Sequence, residues 1–161
     1  MTLFQPFMPL RETGIFELVG INEKVDQNDY SGSVLAITFS PAPVSGELLA
    51  FALYATEDGT GAVQDSAGEL MIFDADPVIA SGDTAITAAA RITQLGRVLI
   101  SAADWTTDAN GGIAYICEKP IPFHNLTSLY FAWKQTDATG LNDATGDDEQ
   151  LECNVWFLEY S

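Results

Sequence analysis

The residues with chemical potential are few and mostly acidic. Asp137-Ala138-Thr139-Gly140-Leu141-Asn142-Asp143-Ala144-Thr145-Gly146-Asp147-Asp148-Glu149 repeats an Asp-Ala-Thr-Gly tetrad and ends in three consecutive acids. Carboxylate, amide and hydroxyl oxygens on one loop are the donor set of a hard cation such as calcium, with Asp137, Asp143, Asp147 and Asp148 as the ligands. The spacing is not that of an EF-hand, and a solvated acidic loop is the simpler expectation. Asp104 to Gly112 also carries oxygens at alternate positions, but its Gly and acid positions are out of register for a calcium loop. Asn110-Gly111 reads instead as a hairpin turn.

Asp74 and Asp76 lie two apart and share one side of a strand end, the raw material of paired-carboxylate catalysis. With 23 Asp and Glu in the chain, such pairs arise by chance. Any Ser-His-Asp site would have to use His124, the sole histidine. One His and the separated Cys117 and Cys153 give no zinc spacing. Neither cysteine sits beside a secretion signal, so free thiols are expected rather than a bridge. Trp105, beside Asp104, is the aromatic best placed for a sugar. No phosphate-binding glycine loop is present. These residues point to no enzyme and require no cofactor.

Charge narrows the partners. Six Lys and Arg against 23 acids give a net charge of -17 over 161 residues. Binding to nucleic acid depends on cations neutralising phosphates, so a nucleic-acid partner is not expected. The same argument disfavours an anionic membrane surface. The N-terminus lacks the basic region of a signal peptide, and no apolar run approaches the roughly 20 residues of a membrane span.

The elements that must hold these residues are β-strands. At 47% hydrophobic residues the chain is not disordered, and its length fits one domain. Apolar blocks between turn signals predict eight strands: 14–19, 33–39, 48–55, 69–73, 98–103, 113–118, 128–134 and 153–159. Short strands at this spacing mark an all-β antiparallel sandwich, and eight without repeats suit a jelly roll. Residues 84–96 have helical spacing, with Asp83 as a cap and Gly96 as a stop. Residues 1–12, with Pro6 and Pro9, read as an extended arm ahead of a single sandwich domain at 13–161.

Several strands are apolar on both sides, where a sheet with one wet face would alternate. Leu48–Tyr54, Leu70–Phe73, Ile113–Cys117 and Val155–Leu158 are the cases. A two-sheet sandwich has one interior, so the second faces must be covered. The cover is either the chain's own loops, arm and helix or another protein chain. In the second case Phe4, Phe7, Met8, Leu49, Phe51 and Trp156 are the expected interface residues.

The arm with Phe4-Gln5-Pro6-Phe7 and the strand set from Gly14 to Tyr160 together resemble virion structural proteins of tailed phages, of the capsid decoration or cement type. The resemblance is one of character, without a diagnostic motif. It implies a virion location, a non-enzymatic role, a homo-oligomer (a trimer above all) and the major capsid protein as partner. A sugar- or receptor-binding β-module, assisted by calcium, is the alternative.

Overall fold

The computed structural model describes residues 9–20, 23–56, 67–108, 111–117, 120–137 and 150–160. Two antiparallel sheets dominate it. The strands are β1 (Leu10–Glu12), β2 (Phe16–Val19), β3 (Val34–Thr38), β4 (Val44–Thr56), β5 (Gly68–Phe73), β6 (Gln94–Ile100), β7 (Trp105–Asp108), β8 (Gly111–Ile116), β9 (Ile121–Leu126), β10 (Ser128–Gln135) and β11 (Gln150–Tyr160). The first sheet runs β1-β11-β4-β8-β7, with β2 also on β11 and β9 also on β4. The second runs β3-β10-β5-β6.

This order is that of a jelly roll. The pairs β2·β11, β3·β10, β4·β8 and β5·β6 are nested, early strands with late ones. Such nesting arises when one long antiparallel ribbon is wound into two layers.

Eight strands were expected among these residues and eleven are present. The additional ones are β1, β7 and β9. Each is short or proline-bearing, and its pairing partner supplies what its own pattern lacks. Residues 10–12 thus pair with β11 inside the sheet, and Glu159 N–H donates to Pro9 O across the same edge.

The helix is also shorter than its periodicity predicts. It covers Ala88–Ile92 only. Thr87, rather than Asp83, caps it, accepting the Ala90 N–H at 3.1 Å. Thr93 ends it, because Gln94–Ile100 pairs with β5 and the ladder takes the backbone that a longer helix would need.

The inner faces interdigitate in one core. Leu48, Phe51, Leu53, Val155 and Phe157 from the first sheet meet Leu70, Ile72, Val98, Leu129, Phe131 and Trp133 from the second. Phe16 and Phe131 touch across the layers at 5.0 Å between ring centroids. Phe39, Phe123 and Phe157 form a ring cluster in this core, with centroids 5.7 to 6.1 Å apart. Gly68 is required by Trp133: a Cβ there would stand 2.1 Å from the indole. The indole N–H is satisfied internally by Gln135 Oε1 at 2.8 Å.

Candidate interaction surface

The two outer faces are finished differently at their centres, although on the edge strands of the second sheet Leu35 and Leu99 stay 49% and 55% exposed. On the second sheet, Met71 and Phe73 of β5 and Ala132 of β10 point away from the core, yet all are buried. Tyr30, Ile79 and Ile86 roof them, forming a second, smaller apolar cluster. The roof consists of two connections laced together. Tyr30 N–H donates to Asp83 O at 2.8 Å and Ser33 N–H to Ile79 O at 3.0 Å. Asp76 adds a brace by accepting from the Ser33 hydroxyl at 2.8 Å and the Val78 N–H at 2.9 Å. Its carboxylate is therefore occupied in structure.

On the first sheet the register sets the outward rows. Ala52 lies opposite both Asn154 and Tyr115, and Tyr54 opposite both Glu152 and Ile113. Trp156 lies opposite Ala50 and Glu12. Ladder positions slip between Trp156 and Phe157, where β4 bulges at Leu49. Tyr115 is 65% exposed and Leu10 62%, and Leu49, Tyr54, Ile113, Trp156 and Leu158 are half-buried. No roof stands over this face among the described residues.

A polar network is set into it. Asn154, itself buried, donates through Nδ2 to Glu12 Oε2 at 3.0 Å and accepts from the Thr13 hydroxyl at 3.3 Å. Burial holds the Tyr54 hydroxyl above its ordinary pKa, and the neighbouring Tyr115 pushes the same way. At the far end, a hydrogen bond to Glu47 keeps Tyr160 protonated to higher pH. Arg11 and Glu159 form an ion pair at the edge. The surface is thus an apolar and aromatic band bordered by Glu12, Glu17, Glu47 and Glu152.

Of the residues expected at an interface, Leu49 and Trp156 do face outward here. Phe51 does not: it is 2% exposed and sits in the core, because the strand's alternation sends it inward between Ala50 and Ala52. Phe4, Phe7 and Met8 lie outside the described residues. So do Asp143, Asp147 and Asp148 of the expected cation loop. Asp137 accepts the Ala67 N–H at 3.4 Å. No group of three His, Cys, Asp or Glu suited to a metal occurs among the described residues.

Trp105 was expected at a strand end open to a sugar; it is 8% exposed and packs in the core opposite Ala114. The neighbouring Asp104 carboxylate instead accepts the Ser101 N–H and hydroxyl, both at 2.8 Å, which lowers its pKa. Both cysteines are free, Cys117 exposed and Cys153 buried.

One contact escaped the sequence. β4 pairs with β9, and this brings Ser45 Oγ to 3.0 Å from His124 Nδ1. Ser45 also accepts the Asn125 N–H at 2.9 Å. Asp74 lines the same cleft of about 500 Å³. The pair resembles the start of a nucleophilic dyad, but no hydrogen bond joins Asp74 to His124 among the described residues. The bond ties β4 to the bend at Asn125, whose φ is 57°. No local signal foretold it, since 79 residues separate the partners.

No helix among the described residues is long and apolar enough to cross a membrane. No protein-family model matches the chain. No curated protein matches it either. Among solved structures, the chain is similar to the decameric BFDV capsid protein, at 11% identity over 96% of this chain and 98% of that one, with a TM-score of 0.29. A superposition that loose carries no inference about role, and the fold assignment rests on the strand order itself.

Proposed function

We propose that the protein is a non-enzymatic virion structural subunit, of the decoration or cement type found on tailed-phage capsids. It assembles with copies of itself, a trimer being the favoured number, and binds the major capsid protein. The observation that carries this reading is the outer face of the first sheet, which none of the described residues roofs. Large exposed apolar patches are uncommon on monomers and usually mark interaction sites. Here the band of Tyr54, Tyr115, Ile113, Trp156 and Leu49 lies on rigid paired strands, which present a fixed shape to a partner.

The mechanism is burial. Covering such a band releases roughly 25 cal/mol per Å² of apolar area, while the bordering acids keep the free subunit soluble and reject mismatched anionic partners. The jelly roll recurs in viral capsid proteins and lectins alike, so fold alone does not choose between them. The burial of Trp105 removes the aromatic that favoured a sugar site.

Quantitative mass spectrometry of particles carrying the chain tests the proposal. A copy number in fixed ratio to the major capsid protein is expected. A few copies per particle, or none, would refute it.

A further inference from the structure

The outer face of the second sheet holds a cleft of about 370 Å³ whose charge runs against that of the whole chain. Arg91, Arg97 and Lys134 line it, half of the six Lys and Arg in a sequence with 23 acids. Glu69 is the one carboxylate in the lining, with Tyr30 and Gln94 beside it.

The fold assembles these groups from five places. Lys134 lies opposite Glu69 in the β10·β5 ladder, and Met71 lies opposite Arg97 in β5·β6. Arg91 comes from the last turn of the helix that Thr87 starts. Tyr30 bridges to Lys134, whose Nζ stands 5.5 Å from the centre of its ring.

The state of the cations is the second observation. Acids outnumber bases so heavily that each base has carboxylates to choose from. Arg11 pairs with Glu159, Lys24 with Asp26, and Arg97 with Glu69. Arg91 and Lys134 make no ion pair among the described residues, and they share this cleft. Lys119 lies outside the described residues. Two unpaired cations converge from separate elements on one concavity, backed by a third that is paired. The chain's net charge does not cancel this locally, because exposed charges are screened beyond about 8–10 Å at physiological ionic strength.

We propose that this cleft binds an oxyanion-bearing ligand, a carboxylate or a phosphate, gripped by Arg91 and Lys134. The guanidinium fork supplies two parallel donors to one oxyanion, and the ammonium supplies a point charge against another oxygen. The Tyr30 ring and the apolar side chains of Met71 and Ile86 form a wall against which a ligand body rests. This face lies opposite the unroofed sheet, so the inference does not depend on the proposed assembly.

Calorimetric titration of the full chain at about 0.1 M ionic strength, where the chain's remaining charges are screened, with inorganic phosphate and separately with citrate, tests it. Saturable binding of at least one is expected, weakening as salt is added; which one binds assigns the oxyanion. Arg91→Gln with Lys134→Gln should weaken it by about tenfold or more. Lys24→Gln, which removes an exposed cation elsewhere, should leave it unchanged. Should the double variant melt early, Arg91→Gln alone, an exposed change, must still weaken binding. Silence with both anions, or an equal loss in Lys24→Gln, would overturn the proposal.

Discussion

Phe73 and Tyr115 both point outward from a sheet, and they meet opposite fates. Phe73 lies beneath the cover built on Tyr30 and Ile79 and is fully buried; Tyr115 is 65% exposed. Both come from strands whose sequences are apolar on two sides. What separates them is the connection. The chain between β5 and β6 is long enough to fold back over its own sheet and lace to residues 30–33. The first sheet receives no such return among the described residues. Two-sided apolarity alone therefore does not tell which face the chain covers itself; the length and path of the connections decide it.

The largest test of that contrast is energetic. Phe73→Ala should cost about 3–5 kcal/mol in urea unfolding, the range for a fully buried aromatic. Tyr115→Ala should shift the dilute subunit by no more than about 0.5 kcal/mol. Equal costs would erase the distinction between the faces.

Thiol chemistry sharpens it next, within the first sheet. Cys153 points inward from β11, where burial raises its pKa far above the ordinary thiol value. Cys117 is exposed just past β8. Ellman's reagent should count one thiol in the native chain and two after denaturation. Two native thiols would mean that the core opens readily.

The smallest effect is a pH dependence. Tyr54 and Tyr160 both have pKa values raised above 10.0, Tyr54 mainly by burial and Tyr160 mainly by its hydrogen bond to Glu47. The folded state holds these protons more tightly than the unfolded one. Their stabilising contribution is complete below pH 10 and is lost as pH rises through the folded values. Tyr54→Phe should flatten that alkaline decline in a stability series. An unchanged slope would mean that Tyr54 is as wet as any surface tyrosine.

Much of the fold was legible because strand blocks and turn residues alternate cleanly, and all eight expected strands are present. The missed ones show the limit. β9 contains Pro122 and His124 and owes its pairing to β4, while β7 owes its place to Trp105 packing in the core. The helix was over-read because Leu95 fits a 3.6 period as well as it fits β6. Alternation puts Phe51 on the opposite side from Ala50 and Ala52, but a strand without a polar side gives no phase, so sequence could not say which aromatics faced out. Ser45 and His124 met only through strand pairing, which no local pattern encodes.

Sedimentation equilibrium of the wild-type chain and of Tyr115→Glu tests the central claim, that the unroofed face is built to be covered by other copies. An oligomeric wild type is expected, melting higher as its concentration rises because association stabilises it, and a monomeric variant that still folds cooperatively, since residue 115 is exposed in the free subunit. A wild type that stays monomeric at every attainable concentration, or a variant that associates as well as the wild type, would contradict it.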